Sequence, residues 1–154
     1  MKIISGGQVG ADQGGLAAAV DLKIPTGGWA PRGFWTLNGE NKNLEKLGLK
    51  DCGCLYPIRT AKNVQDSDGT IRFAYDFKSP GEICTLNALN KYQKPYFDIN
   101  LNSLPFVFDV HDWLKKEKIN ILNIAGNAGK NRKQQIEIFN KVRKYLKRIL
   151  ETYE

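Results

Sequence analysis

Four segments of the chain set glycines beside hydroxyl, amide and carboxylate side chains in the pattern of anion-binding turns. The first is Ser5-Gly6-Gly7-Gln8-Val9-Gly10-Ala11-Asp12. Glycine tolerates positive φ and lets backbone N–H groups come close to a phosphate, so Ser5, Gly6, Gly7, Gln8 and Gly10 are candidates to clasp one. Asp12 would meet a ligand hydroxyl or a bridging Mg²⁺; its plainer role is to cap the helix that follows. The spacing is not GxGxxG and no Lys-Ser/Thr pair follows, which argues against an ATPase. The second segment, Asn63-Val64-Gln65-Asp66-Ser67-Asp68-Gly69-Thr70, offers Asn63, Asp66, Ser67 and Asp68. Two carboxylates one residue apart are too few for a complete Ca²⁺ or Mg²⁺ site, and turn chemistry is the simpler alternative. The third, Ser79-Pro80-Gly81-Glu82-Ile83-Cys84-Thr85, opens a helix and offers Gly81, Glu82 and Thr85. The fourth, Ala125-Gly126-Asn127-Ala128-Gly129-Lys130-Asn131, offers Gly126 and Asn127, with Lys130 or Arg132 adding charge. Trp29 supplies either an aromatic wall or core packing, and Arg32 and Arg59 are guanidinium groups suited to a phosphate. The lone histidine, His111, reads as a surface or half-buried helix residue, and no zinc site built by the protein is expected.

These segments matter together only if the fold brings them to one edge. Lys2 to Ser5 reads as a buried strand, and Ala11 to Leu22 as a closely packed helix. Ile24 to Gly33 is punctuated by Pro and Gly, and Phe34 to Pro57 shows no sustained period, which predicts a long surface excursion. Thr60 is placed to cap a short helical turn near Ala61, followed by a β-rich run from Gly69 to Tyr75 and a helix from Glu82 to about Tyr92. Lys94 to Ile99 reads as a strand, Phe106 to Lys118 as a helix, and Asn120 to Ala125 as a buried strand before a long closing helix. Alternating strands and helices predict one α/β domain over residues 1–154, Rossmann-like and three-layered with a mostly parallel sheet. In such a sheet ligands bind beyond the carboxyl ends of the strands.

Charge is unevenly distributed. Of the 154 residues, the first 114 hold 12 basic and 12 acidic side chains, so the net +7 lies behind Leu114. Much of it decorates the closing helix, where Ile138, Val142, Leu146, Ile149 and Tyr153 recur at three- and four-residue steps. A solvated face is the plain reading, and a basic module for nucleic acid or a protein partner is the lesser one. The three cysteines form no framework and are expected to be reduced thiols. No apolar run approaches membrane-spanning length and the start lacks a secretory pattern, so a cytoplasmic protein is expected.

Ile4 to Asp12 (ISGGQVGAD), Ile24 to Gly33 (IPTGGWAPRG), Arg59-Thr60 with Asn63 to Thr70 (NVQDSDGT), Lys94-Pro95 and Leu122 to Gly126 (LNIAG) carry a resemblance over nearly the whole chain. The sequence resembles the molybdenum, or molybdenum-cofactor, carrier proteins, described as circularly permuted members of the YpsA-like branch of the SLOG nucleotide-binding superfamily. The resemblance implies a Rossmann-like domain whose glycine loops bind a nucleotide-bearing ligand: the molybdenum cofactor, or a signal molecule derived from NAD or ADP-ribose. Three departures stand out. Gln13 replaces a usual arginine, Pro80-Gly81-Glu82 replaces Gly-Gly-Thr, and Asn127-Ala128 replaces Pro-Arg. Glu82 would repel a phosphate unless it points away or is protonated. The phosphoribohydrolase branch carries PGGxGTxxE, and here Ala88 stands at its final glutamate. The expectation is therefore a protein that carries, senses or sequesters a small phosphate-bearing nucleotide-like ligand without turnover. A nucleotide-processing hydrolase is the alternative, and self-association is left open.

Overall fold

The computed structural model spans residues 1–154. Six strands, β1 (Lys2–Ser5), β2 (Thr26–Ala30), β5 (Leu49–Asp51), β6 (Gly69–Ala74), β7 (Tyr96–Asn100) and β8 (Ile121–Gly126), form one sheet in the order β5-β2-β1-β8-β6-β7. Every pairing in it is parallel. Parallel neighbours need crossovers, and the crossovers cover both faces of the sheet. α1 (Ala11–Asp21) and α5 (Val107–Lys116) pack on α6 (Arg132–Thr152), while α3 (Tyr56–Asp66) packs against α4 (Pro80–Lys91) as the other layer. The fold is the expected Rossmann-like three-layer α/β arrangement. No helix is long and apolar enough to cross a membrane.

The inner strands are buried on both faces because both are covered; β6 is buried along its whole length. α1 buries Ala11, Leu16, Ala18 and Ala19, and its Gly14 and Gly15 let α6 and β8 approach. α6 buries the stripe Ile138, Val142, Tyr145, Leu146 and Ile149 against the sheet, and its N-terminus is capped by the Asn131 carboxamide, which accepts the Gln134 N–H at 2.9 Å.

The segment read as a surface excursion is more ordered than expected. It contains β2 and β5, an antiparallel pair β3 (Trp35–Thr36) and β4 (Gly39–Glu40), and a single turn α2 (Asn43–Lys46). Leu16, Ala30, Phe34, Leu44 and Leu49 close a second small core beneath it. α3 begins at Tyr56, five residues before Ala61, so Thr60 lies inside the helix and caps nothing. Cys52 and Cys54 lie side by side just before α3, and Cys84 stands apart from them on α4. Gly53, at φ 65°, turns the chain between them and sets their Cα atoms 5.0 Å apart, a separation a disulfide spans.

Candidate functional site

From β1 the chain turns to β2 on one side, and from β6 to β7 on the other, with β8 between them. This reversal leaves a crevice at the carboxyl edge. A cavity of about 420 Å³ occupies it. Gly6, Gln8 and Asp12 come from the β1–α1 turn; Tyr75, Asp76, Ser79, Gly81, Glu82 and Thr85 come from the β6–α4 segment. Asn123 to Lys130 and Gln134 come from β8 and the start of α6, and α3 contributes Tyr56, Arg59, Thr60 and Asn63.

Arg59 is the central cation, and only 5% of it is exposed. Its guanidinium lies over Gly6, where any Cβ would overlap it. The Tyr56 ring sits 4.3 Å from the guanidinium carbon. Nη1 is 3.7 Å from Asp12 Oδ2, close enough for attraction and too far for a hydrogen bond. Nε and Nη2 have no partner, and neither does the buried Thr60 hydroxyl.

Asp12 accepts the Gln8 N–H at 3.2 Å. Burial pushes its carboxyl up to about 7; Arg59 and the Gln8 N–H oppose the rise and Glu82 adds to it. Burial also raises Glu82, against hydrogen bonds donated by the Ser79 hydroxyl at 3.0 Å and the Asn127 amide at 2.9 Å. Asn127 Oδ1 in turn accepts the N–H groups of Tyr75 at 2.8 Å and Asp76 at 3.1 Å, which ties the end of β8 to the β6–α4 turn. Glu82 and Asn127, two of the departures from the family pattern, are thus partners of one another. Gln13, the third, donates to the Gly7 carbonyl at 3.0 Å and braces the first loop.

Of the residues expected at the site, Gly6, Gln8, Asp12, Arg59, Asn63, Gly81, Glu82, Thr85, Gly126 and Asn127 line the cavity. Asn63 is saturated by the Trp29 backbone, accepting its N–H at 2.8 Å and donating to its carbonyl at 3.0 Å. The others lie elsewhere. The Ser5 hydroxyl is turned into the sheet, donating to the Ile124 carbonyl at 2.7 Å. Gly7 packs on Leu44 and Leu49, and Gly10 on the Asn127 and Ala128 carbonyls. Arg32 donates to the Gly53 carbonyl at 3.0 Å, and the Trp29 indole N–H to Asp66 at 2.8 Å. Asp66, Ser67 and Asp68 lead into β6, so they sit at the amino edge, away from the crevice. There the Ser67 hydroxyl bonds the Val64 carbonyl, and Asp68 accepts the N–H groups of Asn120 and Ile121. Asp12 and Asp68 therefore cannot share a bridging Mg²⁺, and no three His, Cys, Asp or Glu side chains gather as a metal site. Tyr56, Thr60, Tyr75, Asp76, Asn123 and Gln134 line the cavity without having been singled out. Of these, Tyr75 and Asp76 follow β6 directly, which is the signal that could have found them.

Residues 3–150 match the model of a family described as the circularly permutated YpsA SLOG family. A crystal structure of a protein from Syntrophus aciditrophicus SB named "putative molybdenum carrier protein" is similar at 35% identity and a TM-score of 0.81. The alignment covers 99% of this chain and 93% of that one. Comparison with curated proteins gives no match.

Proposed function

The chain belongs to the circularly permutated YpsA SLOG family, and from that premise we propose that it binds a small phosphate-bearing, nucleotide-like ligand, which it carries, senses or sequesters without turnover. The observation that carries this reading is Arg59, a guanidinium that lines a cavity rimmed by glycine turns while its buried Nε and Nη2 lack a partner. A charged donor left unsatisfied in the interior is costly, and an oxyanion held by two parallel N–H groups removes that cost. The turn before α1 and the start of α4 both border the same space, and helix N-termini favour an anion. The relative's name puts molybdenum species first among the ligands to test, beside ADP-ribose derivatives and cyclic nucleotides.

Thermal shift and calorimetry across molybdate, molybdopterin species, ADP-ribose and cyclic nucleotides test the reading, with Arg59→Met as the control. The expected result is saturable binding by at least one of them, weakened at least about tenfold in the variant by loss of a charge-assisted pair. Folded protein that binds none of the panel defeats it.

A second reading rests on Asp12 and Glu82, two carboxyls raised by burial in one cavity, which is how a general acid is prepared for glycosidic cleavage. Against it, Glu82 is occupied by Ser79 and Asn127, and Ala88 holds the position of the phosphoribohydrolase glutamate. Release of base or ribose phosphate from a nucleotide, lost in Asp12→Ala, would favour the hydrolase.

A further inference from the structure

Arg59 faces its counter-ion without bonding to it, since Nη1 stands 3.7 Å from Asp12 Oδ2 while Nε and Nη2 are unpartnered. An oxyanion that enters the cavity meets Asp12 as well as Arg59, because both line it, and two negative groups against one guanidinium repel. The rest of the cavity offers little relief. Its other charged and titratable groups are Tyr56 from α3, Glu82 from α4, Tyr75 and Asp76 from the β6–α4 segment, and Lys130 from the β8–α6 turn. Arg59 and Lys130 are therefore outnumbered by carboxyls before any anion docks.

We propose, resting on the anion-binding reading above, that Asp12 takes part in binding as a carboxylic acid. As the oxyanion docks, the carboxylate takes one proton from solvent. The new O–H donates to an oxygen of the anion, and Arg59, released from its counter-ion, pairs with the anion. Burial already raises the Asp12 carboxyl to about 7, so the proton is readily gained near neutrality. The ligand class this selects is an oxyanion that is fully ionised in the neutral range and has an acceptor oxygen to spare, such as molybdate or a phosphodiester.

Calorimetry with molybdate and with ADP-ribose, neither of which changes charge around neutrality, decides the matter when repeated in buffers of different ionisation heat. Near pH 8 about one proton should be taken up per anion bound, falling towards none near pH 6, as a carboxyl titrating at about 7 requires. The Kd should rise up to about tenfold per pH unit above about 7. Asp12→Asn should bind with no proton uptake and a flat pH profile. Should that variant not fold, the carboxyl-carbon NMR signal of Asp12 in the wild-type protein should titrate at higher pH with molybdate than without. Binding without proton uptake, or an Asp12 signal that stays ionised in the complex, overturns the proposal and leaves the anion-binding reading standing. Failure of both probes to bind defeats both.

Discussion

Arg59 and Gly6 each define the space of the other. A Cβ at Gly6 would lie on the guanidinium, and the Tyr56 ring 4.3 Å from the guanidinium carbon limits where that side chain can move. Gly6→Ala is therefore expected to keep the fold, displace the guanidinium and weaken anion binding more than about tenfold by calorimetry, because a charge-assisted contact is lost. Survival of full affinity would remove Arg59 from the site. Asp12 makes a second expectation, on stability. Its carboxyl is at about 7 when folded against 3.8 for an unperturbed aspartate. Between those values the folded state holds a proton that the unfolded chain has released, so stability is lost as pH rises through the window. The slope is at most about 1.4 kcal/mol per pH unit. Urea unfolding of the protein alone should show its midpoint falling from about pH 5 to about pH 8, and Asp12→Asn should flatten that trend.

The elements that hold these residues meet at two tight junctions. Arg72 on β6 is buried and forked onto Asp98 of β7 at 2.7 and 2.6 Å, and its Nη1 donates to the Glu82 carbonyl at 2.9 Å. One side chain thus fixes the start of α4, and with it Glu82, to two strands. Arg72→Met should cost about 3 kcal/mol in urea unfolding, the low end for breaking a buried pair because Asp98 is partly exposed. Arg72→Lys should not rescue it, since an ammonium cannot reproduce the fork. Gly14 is the other junction, where a Cβ would stand 2.8 Å from the Phe139 carbonyl and 3.1 Å from Val142 Cβ. Alanine would gain about 1 kcal/mol of helix propensity and lose about 1–3 kcal/mol to overpacking, so Gly14→Ala should lower the Tm. Such contacts explain what the sequence could and could not disclose. α1, α6, β6 and β8 are legible because burial on one or both faces writes a period or an apolar run. β2, reading Thr-Gly-Gly-Trp-Ala, and the three-residue β5 write neither; partner strands hold them in place. The glycine turns were legible because their backbone approaches demand glycine. Asp66 and Asp68 were misplaced because a loop entering a strand resembles one leaving it in composition, although the order of elements separates them. Tyr56 and Asn123 gave no local sign, since their direction is settled only when α3 crosses the sheet edge.

At the scale of the whole molecule the basic surplus and the crevice cavity occupy different places. α6 begins at the cavity, where Gln134 lines it, and carries Arg143, Lys144, Lys147 and Arg148 farther along. At 1.5 Å per residue, the nine residues from Gln134 to Arg143 span roughly 14 Å along the helix. Asp21 of α1 takes up part of that charge, bonding Arg143 at 2.7 Å and lying 3.4 Å from Lys147. Lys144 and Arg148 are left facing outward. The screening length is about 8 Å at physiological ionic strength and about 30 Å near 0.01 M salt, so these two cations are screened from the cavity in the first condition and felt there in the second. Lys144→Gln with Arg148→Gln should therefore leave the calorimetric Kd for the cavity ligand unchanged at physiological salt and raise it at low salt. Polyanion binding by the α6 face, if measured on the same pair, should weaken in both conditions, because those contacts are direct. A loss of cavity affinity at physiological salt would mean that ligand and basic face touch, and the separation of cavity from charged surface would have to be abandoned.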